Sequence, residues 1–355
     1  MNPRFSTLTV ISVAILLAPV SILAQAPVPS GNQAAKIASV AGSAKWTVPR
    51  LPDGRPDIGG FWTNNTLTPF ERPKEFAGRE FLTDDEAKAL QQAAIERRKA
   101  GDRQAIERPN EVGSYNSAFS DGDSRFLMAN KRNSIITDPK DGRMPPLTPE
   151  AQRKFEADKE YHSHHLHDGP EDMTTIERCI TWITSGPPML PSFYNNNYQI
   201  VQTHDHLSIV TEMVHDVRII PLDGRPHADI RQWMGDSRGH WEGDTLVVET
   251  INFNGKRGYF GAPMTEGSGS RRPDAKMRVI ERFTRTAPDI LLYQFTVIDP
   301  GTYAKPWSGE IPMRSFEGPV YEYACHEGNY GMQLILSGAR AEEKEAENAA
   351  KKGSK

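Results

Sequence analysis

Apolar and polar side chains alternate through the second half of the chain, and the alternation predicts strands. It is clearest over 290–298, where Leu291, Tyr293, Phe295 and Val297 share one face, and over 277–284, where Val279, Glu281 and Phe283 do the same. Similar period-two runs cover 198–203, 207–214, 217–221, 245–251, 308–314 and 320–325. Turn clusters at 204–205, 287–289 and 317–319 join neighbouring runs into hairpins. An antiparallel meander of this kind must protect its edges, by closing into a barrel or packing as a sandwich. The expected fold is mainly β, with a lipocalin-like (calycin) barrel over 191–338.

Ahead of the strands the pattern changes. Thr83, Asp84, Asp85 and Glu86 form a capping-box sequence that opens a helix running to Lys99. Thr148, followed by Pro149 and Glu150, opens a second helix. A third, short helix is expected over 171–183, whereas 100–125 shows no period. Residues 51–190 are therefore expected to be a helical and irregular region packed on the barrel. Residues 27–50 are small and polar, a tether, and 339–355 is a solvated helix or a disordered tail. Residues 1–26 read as a secretory signal: Arg4, an apolar stretch at 10–17, and a small-x-small site at Ala24-Gln25-Ala26 just before Pro27. No other run is long and apolar enough to span a membrane. The expected product is a soluble periplasmic or secreted protein without a membrane span.

Composition narrows the classes. The formal charge of −4, with mixed signs, excludes the strongly basic surface of a nucleic-acid binder. The chain has two cysteines, Cys179 and Cys325. In an exported protein the simplest reading is one disulfide closing a long loop, worth about 4–5 kcal/mol in the chain-entropy model. A free reactive thiol is the alternative. There is no P-loop, G-x-G-x-x-G, C-x-x-C or C-x-x-C-H, so no nucleotide, dinucleotide or haem cofactor is expected, and a metal ion is the one open option. His162, His164, His165 and His167 lack a metal-site motif and read as solvated. The turns Asp53-Gly54-Arg55, Asp141-Gly142-Arg143 and Asp223-Gly224-Arg225 read as recurrent turn chemistry rather than as a repeat.

Candidate chemistry follows from the alternation. If one register holds across 207–219, His215 points into the apolar interior, and Glu212, Asp216 and Arg218 line the opposite face. A bulge near His215 would mix the two sets. On that register His215 is the first candidate general acid or base, and a backbone-bonded core histidine is the bland alternative. Glu281 falls on an apolar face and needs a partner, commonly an arginine, or a role. Glu212 and His326 complete the catalytic candidates. Arg218, Arg238, Trp233, Tyr323 and Asp216 are the substrate-binding candidates. Ser237 lacks the G-x-S-x-G surroundings of a hydrolase nucleophile.

The runs E-R-C at 177–179, YNNNYQIVQT at 194–203, EMVHDVRIIPLDGRPH at 212–227, GDSRGHWEGDTLVVET at 235–250, RVIERFTR at 278–285 and YEYACHEGNY at 321–330 are long and specific. They resemble a large group of exported, uncharacterised bacterial proteins that is plentiful in acidobacteria and other soil bacteria. The resemblance covers 170–340 and supports export. It implies no reaction, cofactor or catalytic residue.

Two functional classes remain open at this point. One is an exported enzyme moving protons with His215 and a carboxylate on a small, partly apolar organic molecule in a barrel cavity, as a lyase, isomerase, hydratase or hydrolase. The other is a non-catalytic binding protein using the same cavity. A structural protein is the third reading, favoured if side chains fill the barrel.

Overall fold

The computed structural model describes residues 46–107, 126–165, 167–256 and 274–353. The expected secretory signal and most of the tether lie outside the described residues, as do 108–125 of the stretch read as irregular.

The fold is mainly β: ten antiparallel strands form a nearly closed barrel. The strands are β1 (Gly60–Thr63), β2 (Ile136–Asp138), β3 (Asn197–Gln202), β4 (His206–Thr211), β5 (Val217–Pro221), β6 (Asp236–Glu242), β7 (Thr245–Ile251), β8 (Arg278–Ala287), β9 (Ile290–Ile298) and β10 (Trp307–Ser315). Their order is β5-β4-β3-β1-β10-β9-β8-β7-β6, with β2 paired to β10. From β7 to β10 the sheet is the expected meander, and β6 extends it over residues that the alternation does not predict as a strand. The N-terminal region departs from expectation by contributing β1, which lies between β10 and β3 and joins the meander to the β3–β5 ladder. The stretch 320–325, expected to be a strand, forms none, and 171–183 holds no helix beyond the 3-10 turn Pro170–Asp172.

Among the described residues three α-helices lie outside the ladder: α1 (Asp84–Glu107), α2 (Pro149–His164) and α3 (Gly331–Gly353). The first two begin as the sequence predicts. Thr83 and Glu86 exchange side-chain-to-backbone hydrogen bonds, and the Thr148 hydroxyl accepts from Ala151 N–H. Two of the histidines near the α2 terminus are taken up locally: His162 donates to the Asp158 carbonyl, and His165 pairs with Asp168. No described helix is long and apolar enough to cross a membrane.

The barrel interior is packed with large side chains. Trp62, Tyr198, Phe283, Tyr293 and Trp307 are fully buried, and Phe295 meets Trp307 edge-to-face at 5.5 Å. Residues 184–190 are buried against this core. Met189 N–H donates to the Tyr293 hydroxyl, Asn64 Nδ2 to the Met189 carbonyl and the Tyr198 hydroxyl to the Thr184 carbonyl. The segment thus fills space that an open barrel would leave to a ligand.

One charged pair sits in this interior. Arg218 on β5 reaches Glu281 on β8 through two hydrogen bonds of 2.9 and 3.1 Å, and the Tyr293 hydroxyl donates to the same carboxylate at 2.9 Å. Glu281 therefore has the arginine partner that an inward carboxylate requires. The parity that would have put Arg218 outside is overturned. Between β4 and β5, Val214 (φ 61°) and His215 (φ 44°) both adopt left-handed backbone, and this turn shifts the alternation by one residue. Inward positions are Leu207, Ile209 and Thr211 before the turn, and Arg218 and Ile220 after it.

The strand ends define two ends of the barrel. Arg55 bonds the Thr203 carbonyl, Arg50 bonds Asp244 and Arg285 bonds the Asp57 carbonyl, so the β3–β4, β6–β7 and β8–β9 turns gather at one end. The Met213–His215 turn and the start of β6 lie at the other, the upper end. The barrel closes where β5 meets β6 without a hydrogen-bonded ladder. There Ile220 and Leu222 pack over Gly239 so tightly that an added Cβ would lie 2.6 Å from Leu222 Cδ2.

Candidate functional site

The Met213–His215 turn organises the upper rim. Trp182, Met213 and Val214 form a small apolar cluster of their own, joined by Ile176, Ile183, Tyr194, Tyr323 and Cys325. Tyr194 lies between Trp182 and Tyr323, with ring centroids 6.2 and 6.3 Å away. Beyond β10 the chain runs back along the barrel as a strap over 316–330, and it is tied down by the Cys179–Cys325 disulfide. The expected pairing of the two cysteines is thus present.

Four of the sequence candidates meet at this rim. His215 is exposed rather than interior, which corrects the expectation from strand parity. Its Nδ1 lies 3.0 Å from the Tyr323 carbonyl. A carbonyl can only accept, so Nδ1 carries the proton and Nε2 presents its lone pair to solvent. Glu212 is buried and accepts from Asn197 Nδ2 at 2.7 Å, with Tyr321 N–H at 3.5 Å from its other oxygen. Asp216 accepts from the Ser185 hydroxyl at 2.7 Å. Burial, reinforced by the hydrogen bond to Tyr323, pushes the Tyr194 hydroxyl up to about 12.

Backbone strain concentrates here. Of six described non-glycine residues with positive φ, four belong to this rim: Cys179, Asn195, Val214 and His215. A β-branched residue such as Val214 resists this conformation strongly, so the surrounding contacts must hold it there.

The other candidates lie elsewhere. Glu281 and Arg218 are spent on each other inside the barrel. Arg238 binds Asp236, the Ser237 carbonyl and the Pro226 carbonyl. Trp233 is half-buried and His326 exposed, and neither side chain makes a hydrogen bond or ring contact with the rim. Sequence reasoning missed Tyr194, Asn197 and Ser185. The first two stand in the YNNNY run, whose polar density was their only signal. Among the described residues no three His, Cys, Asp or Glu side chains gather to hold a metal, and so His215, His227 and His326 do not converge.

No family model matches the chain, and neither does any curated protein or solved structure.

The buried phenols give the fold an alkaline limit. Burial raises Tyr194, and it raises Tyr198 and Tyr293 further. Each is an acid whose folded pKa exceeds its unfolded value of about 10. The full stability is present below that value and is lost as pH climbs through the folded pKa, because the unfolded chain ionises first. Denaturation midpoints measured upward from neutral pH should stay flat with respect to these groups until about pH 10 and then fall. A curve in which Tyr194→Phe leaves that fall unchanged would show that Tyr194 ionises freely in the folded rim.

Proposed function

We propose that this protein is an exported enzyme that performs histidine–carboxylate acid–base chemistry on a small, partly apolar organic molecule at the upper rim of the barrel. The observation that carries this reading is the His215 imidazole, anchored through Nδ1–H on the Tyr323 carbonyl and held on a strained turn with Nε2 open. Such a group takes a proton at Nε2 and returns it within one cycle. The partly exposed rings of Tyr194 and Tyr323, lying over the buried Trp182, Met213 and Val214, suit the apolar part of a substrate. The Tyr194 hydroxyl stays protonated at neutral pH and can donate to an oxygen where charge develops. Glu212 acts as a positioning residue through Asn197, and Asp216 does so through Ser185. The disulfide supports an oxidising compartment, periplasmic or extracellular. The packed interior favours a rim site over an internal cavity, and it equally favours a second reading, a structural protein with no substrate.

The test is to incubate purified full-length protein with small-molecule extracts and follow consumption by mass spectrometry. The wild type should deplete a compound that His215→Gln depletes about 10²–10⁴-fold more slowly. A His215→Gln protein working at the wild-type rate would remove His215 from the chemistry. If nothing is consumed, a compound retained unchanged marks a carrier, and an empty protein leaves the structural reading.

A further inference from the structure

The geometry points to a second acid–base centre, at the start of β6, built on His227 and distinct from the rim site of His215. Among the described histidine–carboxylate pairs, His227 and Asp236 form the one in which both side chains are largely buried, at 20% and 10% exposure; apart from the longer contact of His227 with Glu249, the others are local surface contacts. His227 Nδ1 lies 3.1 Å from Asp236 Oδ2. That oxygen also accepts from Ala228 N–H at 2.8 Å, and Asp236 Oδ1 accepts from Arg238 Nη1 at 2.5 Å. An ionised carboxylate can only accept, so Nδ1 carries a proton, and in the neutral imidazole the lone pair lies on Nε2. Nε2 faces Glu249 Oε2 across 3.9 Å, and Glu249 is more than one-third exposed and paired with Arg278. An oriented base, the group that orients it and an open approach are the parts that proton-transfer sites share.

The loop that carries His227 is pinned rather than loose. The Asn252 side chain, from a left-handed residue (φ 60°), donates to the Ala228 carbonyl, and Gln232 N–H bonds the Asn252 carbonyl. Arg238 grips the Pro226 carbonyl with both Nε and Nη2. Gly235 (φ +70°) lies so close to β7 that an added Cβ would sit 2.6 Å from the Ile251 carbonyl oxygen. Orientation held this tightly is preorganisation, and it keeps Nε2 aimed at the Glu249 side.

The fitting substrate class is a small ester, with water as nucleophile. The Ser237 hydroxyl is turned inward onto Thr250 Oγ1 and is not available for attack. Water between Nε2 and Glu249 gives its proton to Nε2 as its oxygen bonds to the acyl carbon. The carbon–oxygen bond to the leaving alcohol then breaks, and the proton passes from Nε2 to the departing oxygen. Ester and water become acid and alcohol, with no further reactant. Asp236 is a positioning residue that stabilises the imidazolium in between.

The test uses p-nitrophenyl acetate with the full-length protein. His227→Asn is the informative variant, because its amide can still donate to Asp236 where Nδ1–H did while the basic nitrogen is gone. Hydrolysis by the wild type should exceed that of equimolar free imidazole. His227→Asn should lower kcat/KM by about a hundredfold with an unchanged melting temperature, and His240→Gln, an exposed histidine at the other end of the barrel, should leave it unaltered. Asp236→Asn should lower kcat and spare KM. A wild-type rate no better than imidazole, or a His227→Asn rate within about twofold of wild type, overturns the assignment.

Discussion

Glu281→Ala should destabilise the fold by about 3–5 kcal/mol, the usual cost of leaving one half of a buried ion pair without its partner. Glu281 is fully buried and Arg218 is 5% exposed, so water cannot take over the lost contacts. The guanidinium would keep its charge in an interior lined by Tyr293, Phe283 and Tyr198, and its Nε already lacks a partner among the described residues. Tyr293 would lose its acceptor and keep only the bond from Met189 N–H. Replacing both charged residues with apolar ones of similar volume, Arg218→Met with Glu281→Leu, should recover most of the loss, because the cost lies in the unpaired charge rather than in the missing bond. Urea unfolding of the single and the double variant measures this directly. A single variant that lost less than about 1 kcal/mol would mean that solvent reaches Arg218.

Breaking the Cys179–Cys325 bond is the second large effect. The bond closes a separation of 146 residues, for which the chain-entropy relation gives about 5 kcal/mol. Cys179→Ala with Cys325→Ala should therefore lower unfolding stability by an amount of that order, and mild reduction of the wild type should match it. The strap makes few other contacts with the barrel: the Phe316 ring against Phe61 with a bond from Phe316 N–H to the Phe61 carbonyl, Tyr321 N–H near Glu212, Tyr323 against Tyr194, and the Tyr323 carbonyl on His215. Hydrogen exchange should accordingly rise over 316–330 while β8 and β9 stay protected. Uniform loss of protection would instead make the bond a staple of the whole barrel.

Much of the architecture is legible where one signal dominates. The bounds of β5, β7 and β9 follow from alternation alone, the helix starts follow from Thr83 and Thr148, and an inward carboxylate at Glu281 implied its arginine. Illegible features depend on contacts distant in sequence or on backbone that local propensity disfavours. The strand β6 is not signalled by the sequence because its inward positions include Ser237 and Gly239, which carry no apolar alternation. Nothing in Val214 or His215 announces left-handed backbone, yet that turn moves His215 out and Arg218 in. Ser185 and Tyr194 reach the rim only because the buried segment over 184–190 and the strap dock there.

The place of β1 has a kinetic consequence. Its two neighbours, β3 and β10, meet only through it, and β10 is the last strand to be synthesised. The sheet therefore cannot become continuous until nearly the whole barrel sequence is present, and closure waits on a pairing between distant parts of the chain. Folds that depend on such non-local pairing fold slowly. Refolding from denaturant should accordingly be slow, and the sheet should become continuous only once β10 has docked on β1.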